Sequence, residues 1–147
     1  VNRAAMLDLL IKDEGLRLDL YDDATGKTIR KGSVVEGHPT IGIGRALDVY
    51  PLTREEAVYL SEQPLKHAEE ALDRNLLGWR SLSEVRQIVL MSMVYQMGWG
   101  GVSKFVKFLA AIRRMDFTDA AREMRDSAWA QQTPARCERL AKMMETG

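Results

Sequence analysis

Cysteine is nearly missing from this 147-residue chain, in which Cys137 stands alone. No disulfide can close within it, so the fold must hold by packing, as suits a reducing compartment. Two histidines, His38 and His67, and one thiol give little material for a metal site, and no cofactor is expected. Net charge is absent too, because 21 basic side chains balance 21 acidic ones. Bulk electrostatics therefore gives no reason to expect nucleic acid as a partner, although a local basic patch could still face an anionic polymer. Long apolar runs are lacking. The longest, Ile88 to Val94, is broken by Ser92 and is far too short to span a bilayer. No signal peptide is legible either, since the apolar region Met6 to Ile11 is short and interrupted by Asp8. With 3 Phe and 8 Met, the core is expected to be Met-rich and pliable.

What is present has a definite order. Residues 3–14 carry Met6, Leu7, Leu10 and Ile11 at helical spacing, and Gly15 is a C-terminal stop. Residues 16–44 change character: Leu18, Leu20 and Tyr21 alternate with polar residues, and Asp23-Ala24-Thr25-Gly26 is a turn. Thr28 to Val35 is β-branched around a Gly32-Ser33 break, and Glu36-Gly37-His38-Pro39 turns into Thr40 to Gly44. This is a small antiparallel sheet. Thr53-Arg54-Glu55-Glu56 is a capping box that opens a helix to about Arg74, with Pro64 expected to kink or break it. Residues 83–97 are apolar almost all round and should form the centre of the core, ending at Gly98 to Gly101. Residues 103–114, 118–129 and 134–144 predict three further helices, the last with Thr133 as N-cap and Pro134 at its first position.

Glu14 and Asp23 are two carboxylates set around a turn, with the hydroxyl of Thr40 following at the start of a strand. Bond-breaking on sugars needs such parts: one carboxyl to protonate the leaving oxygen, another to steer a water. A general acid must keep its proton near neutral pH, and Ile11 and Leu16 are expected to shelter Glu14 to that end. Each residue also has a plain structural reading. Glu14 can be a solvated helix-end side chain, Asp23 a turn residue, and Thr40 an ordinary strand residue. Asp19 and Asp22 compete with Asp23, and spacing does not exclude them. Gly42 and Gly44 at alternate positions of one strand suggest a close approach by another chain or a ligand. Tyr95 and Gln96 end the central helix with an aromatic and an amide, the groups sugars bind, or else with a core contact. Gln132, Thr133 and Pro134 open the last helix, and Arg136 is either a partner for an acid or a surface base.

These stretches resemble the T-even-phage-type lysozymes, the phage endolysins of glycoside hydrolase family twenty-four. The resemblance rests on Asp13 to Leu18, Tyr21, Asp23 and Gly26, Thr40 to Gly44, Val85-Arg86 and Met93 to Gly98. It continues through Gly101-Val102, Ala120-Ala121, Ser127, Trp129, Gln132 to Pro134 and Arg136. It implies an α+β, lysozyme-like, two-lobed domain over residues 1–147. A sheet lobe at about 15–52 and a connecting helix at about 53–74 would lead to a helical lobe at about 75–147, to which helix 3–14 would belong. It implies a muramidase cleaving the β-1,4 bond between N-acetylmuramic acid and N-acetylglucosamine with inversion. Glu14 would be the acid, Asp23 and Thr40 would hold the water, and Arg136 would pair with Glu14 and tune its pKa. Tyr95, Gln96 and Gln132 would line the saccharide cleft.

The expected partner is therefore the peptidoglycan glycan strand, met by a monomer that would be made in the host cytoplasm and act on the periplasmic wall. No nucleic acid or integral membrane segment is expected, and a separate wall-binding module could complement the chain. Two rival readings are a tail-associated virion lysozyme domain and a peptidoglycan-binding module that has lost catalysis. The chain also departs from the family pattern. The segment from Asp23 to Thr40 is long, so residues 28–38 should make an extended hairpin or flap. Arg45 replaces a familiar His after Gly-Ile-Gly and Pro64 its usual acidic partner, so an ion pair should be lost. Phe108 and Glu123 fall where smaller or neutral side chains are usual.

Overall fold

Asn2 starts the first helix, α1 (Arg3–Glu14), by accepting the Ala5 amide on its side-chain oxygen at 3.1 Å. Gly15 ends it at φ 80°, a left-handed conformation that glycine takes without penalty, and its amide reaches Ile11 O at 2.9 Å. The computed structural model describes the whole chain, Val1–Gly147, as an α+β fold. Strand β1 (Arg17–Asp22) pairs antiparallel with β2 (Pro39–Gly42), and β2 pairs antiparallel with β3 (Arg45–Ala46). The register sets Tyr21 opposite Thr40 and Thr40 opposite Ala46. Thr40 thus sits mid-sheet.

The chain divides into two compact units, Val1–Val58 and Tyr59–Gly147. The first has no buried apolar residue, and its only buried residues are Asp22 and Thr40, each 3% exposed. Leu7, Leu10 and Leu16 are all exposed, so the shelter that Leu16 was expected to give Glu14 is not built. The expected hairpin over residues 28–38 does not form. Tyr21 makes a single bridge to Thr28, and the segment then turns at Arg30–Ser33. The Ser33 hydroxyl takes the Arg30 amide at 2.9 Å, so a side chain competes for backbone that a ladder would need.

Helix α2 (Arg54–Asn75) begins in the first unit and runs on into the second. Its capping box is reciprocal: Thr53 Oγ1 accepts from Glu56 N at 3.2 Å, and Glu56 Oε2 accepts from Thr53 N at 2.8 Å. The helix passes Pro64 without a break, because proline withholds only one donor and its φ suits a helix.

The second unit holds the apolar core. A short 3-10 turn at Trp79–Ser81 leads to α3 (Glu84–Val102), which buries Val89, Leu90, Met93 and Val94. It is less enclosed than expected, since Ile88 and Tyr95 are half exposed. Gly98 interrupts it at φ 67°, but the helix resumes to Val102 instead of stopping. Four helices follow: α4 (Val106–Arg113), α5 (Phe117–Arg125), α6 (Ala128–Gln132) and α7 (Pro134–Thr146). The expected helix over 118–129 is split because Ser127 caps α6, accepting Ala130 N at 3.2 Å. Thr133 does not cap α7, because its hydroxyl donates instead to Trp129 O at 3.2 Å. Met93, Met124 and Met144 are fully buried, and Met91, Met97 and Met143 pack against the core, as the composition implies.

Arg45 does not lose its ion pair. Its guanidinium reaches Glu56 at 2.5 and 2.9 Å and also donates to Tyr50 O and Pro51 O, tying β3 to the start of α2. A different acid, supplied by the capping box, has taken the role left open by Pro64. Arg45 holds Glu56 down to about 2, well below its ordinary value of 4.5. A depressed carboxylate contributes stability above its unfolded pKa and loses it as pH falls through the folded one. Glu56→Gln should therefore flatten the decline in stability between about pH 4.5 and about pH 2, read from urea midpoints across that range.

Candidate active site

Three carboxylates crowd the end of β1, and their hydrogen bonds separate them. Asp19 is bound by Arg17 at 2.8 and 3.2 Å and by the Thr28 hydroxyl at 2.5 Å, which together hold it down to about 2. The same Arg17 lies 4.2 Å over the Tyr21 ring and donates to Gly26 O, fixing the turn. Asp22 is buried, yet its pKa is lowered. The Glu36 amide donates to its Oδ2 at 2.8 Å, and those of Ala24 and Gly37 to its Oδ1 at 3.0 Å, which outweighs desolvation. Both oxygens of Asp19 and of Asp22 are thus committed to structure.

Asp23 is different. It is exposed, and its Oδ1 accepts one bond, from His38 N at 2.7 Å, while Oδ2 takes none from the protein. The His38 carbonyl in turn accepts from Asp23 N at 3.1 Å and from the Thr40 hydroxyl at 3.0 Å. The main chain of one residue, His38, therefore joins Asp23 to Thr40. Gly37 makes this possible, because a Cβ there would stand 2.2 Å from Asp23 Oδ1 and 2.8 Å from Ala24 N.

Glu14 is exposed at the last position of α1. Its Oε2 lies where a Cβ on Gly44 would come within 2.8 Å, so the expected close approach at Gly44 is made by this carboxylate. Gly42 and Gly44 are not alternate residues of one strand. Gly42 is the last residue of β2, paired with Arg17, whereas Gly44 lies in the turn before β3, and both have positive φ, 67° and 66°.

The remaining candidates belong to the second unit. Gln96 is bound through its Oε1 to Trp129 Nε1 at 3.2 Å. Gln132 lines a cavity of about 790 Å³ with Met97, Phe105, Trp129, Phe108 and Glu123. The aromatic wall is packed edge to face, with Phe105 6.3 Å from Trp129 and 6.4 Å from Phe108. Tyr95 instead lines a separate cavity of about 660 Å³ beside Ile88 and Met91. Tyr95 and Gln132 thus line different cavities. Arg136 is exposed in the first turn of α7. No cluster of ligating side chains could hold a metal ion.

Two residues near Asp23 escape a sequence reading. His38 Nδ1 lies 2.8 Å from Asp48 Oδ2, and that hydrogen bond raises the His38 pKa. The sequence signal was only the position of His38 in the turn before Thr40. Asp48 lies ten positions further on and becomes its partner only once β2 and β3 pair.

A model of the phage lysozyme family matches residues 11–143. The pre-baseplate central spike protein Gp5 of Enterobacteria phage T4 is 32% identical over 171 residues, covering 97% of this chain. This chain spans 28% of the length of that protein. The probable T4-type lysozymes 1 and 2 of Dictyostelium discoideum are 29% and 28% identical, each with 98% of this chain and 95% of its own length covered. No helix is long and apolar enough to cross a membrane. Gly37→Ala should cost about 1–3 kcal/mol through the clash with Asp23 and the Ala24 backbone, read as a lower urea midpoint at unchanged slope.

Proposed function

The chain belongs to the phage lysozyme family, as a glycoside hydrolase that acts on peptidoglycan, and we propose that it cleaves the β-1,4 bond between N-acetylmuramic acid and N-acetylglucosamine with inversion. Glu14 gives its proton to the leaving glycosidic oxygen. Asp23 takes a proton from the water that attacks the anomeric carbon from the opposite face. The observation that carries this assignment is the division of labour at the end of β1. Asp19 and Asp22 are spent on structure, whereas Asp23 is held at Oδ1 and keeps Oδ2 for the water.

Thr40 gives its own proton to His38 O, so its lone pairs are what it offers to the second hydrogen of that water. Gln96 and Gln132 contribute to saccharide binding beside Trp129, with Tyr95 a further contact. The protein is made in the host cytoplasm and works on the periplasmic wall as a monomer. A second reading, a tail-associated virion lysozyme domain, is favoured by the similarity to the T4 spike protein over 97% of this chain. The chemistry is the same in both.

Glu14→Gln removes the transferable proton while keeping the side-chain shape. Reducing-sugar release from purified sacculi should fall by roughly 100- to 10,000-fold, with the unfolding midpoint unchanged. Wild-type clearance of outer-membrane-stripped cells by this variant would reject the assignment of the acid.

A further inference from the structure

The long segment between Asp23 and Thr40 ends in three consecutive amides, those of Glu36, Gly37 and His38. The first two donate to Asp22 and the third to Asp23. The segment therefore returns to the residues it departs from. The main chain of His38 makes three bonds to the two residues proposed to hold the water: one from its N–H to Asp23 Oδ1, and two to its carbonyl, from Asp23 N and Thr40 Oγ1.

His38 lies just outside regular structure, since β2 begins at Pro39. Its ring is held in turn, with Nδ1 2.8 Å from Asp48. Asp48 follows β3, and Leu47 N donates to Pro39 O at 2.8 Å, so the anchor is itself tied to the neighbouring residue. Around the imidazole the facing charged groups are Asp48 first, then Asp23 and Asp22 at the end of β1, all acidic.

We propose that His38, pinned by Asp48, is a positioning residue for this enzyme: its imidazole fixes its own main chain, whose N–H and carbonyl orient Asp23 and Thr40 toward the attacking water. The pair acts through the main chain of His38, and it gives the long segment a catalytic purpose. The inference rests on the roles proposed for Asp23 and Thr40. A displacement of the main chain at His38 would be passed to both groups, since the N–H and carbonyl of that one residue hold both.

The test is made on the whole chain with purified sacculi. His38→Ala and Asp48→Ala should each lower kcat by roughly ten- to 100-fold with KM little changed, because misplaced reacting groups slow chemistry without weakening binding. His38→Asn, whose amide can still donate to Asp48, should recover most of the loss, and the double alanine variant should be no worse than either single one. Wild-type kcat in His38→Ala, or His38→Asn no better than alanine, overturns the proposal. A readout independent of turnover separates it from the reading beneath it. The Asp23 carboxyl carbon resonance in NMR should move in Asp48→Ala, and an unmoved resonance overturns the positioning. If it moves while Asp23→Asn keeps full activity, the positioning stands and it is the assignment of Asp23 as the water-holding carboxylate that fails.

Discussion

Asp22 and Asp23 receive three successive backbone amides from a segment that left them 14 to 15 residues earlier, and the first unit depends on that closure. Nothing apolar is buried there, and the two residues that are buried, Asp22 and Thr40, are both polar. An unpaired carboxylate in such a place would be costly, but Asp22 accepts from three amides and so favours its charged form in spite of burial. The network does the work an apolar core does elsewhere, and it specifies geometry more narrowly than packing would, because each bond has a direction. Asp23 inherits its orientation from this closure through the very next amide.

The rest of the unit secures the same few residues from other directions. Arg17 and Thr28 engage Asp19 and fix the first turn, which removes Asp19 from the set of available carboxylates. Arg45 and Glu56 join β3 to the head of α2, using an acid already placed by the capping box. Gly44 leaves space for the Glu14 carboxylate at the other side of the β2–β3 loop. In the second unit the logic is the opposite one. Leu90, Met93, Phe108, Met124 and Met144 close a dry core, and polar groups such as Gln96 and Trp129 meet at its edge.

The sequence disclosed features that arise from local chemistry. The capping box, the Gly15 stop, the Met-rich core and the α+β class all follow from neighbours in the chain. It failed where one partner lies far away. The residues 28–38 have β-branched character, but Ser33 turns the backbone aside and Asp22 claims its far end. Pro64 looked like a breaker and a lost ion-pair partner, while the helix carried through it and Glu56 answered Arg45. The candidates Glu14, Asp23 and Thr40 were legible as residues, with Asp22 and Asp19 as rivals that spacing could not remove. What distinguishes Asp23 is the count of donors aimed at each carboxylate, and that count exists only in three dimensions. His38 and Asp48 were hidden for the same reason.

The central claim is that the amides of Glu36, Gly37 and His38 are locked onto Asp22 and Asp23 although they lie in irregular chain. Amide hydrogen exchange of the wild-type protein tests this directly. The three amides should exchange as slowly as the paired amides of β1 and β2, and far more slowly than those of Lys31, Gly32 and Val34 in the same segment. Exchange of all three at the rate of Lys31, Gly32 and Val34 would contradict the account.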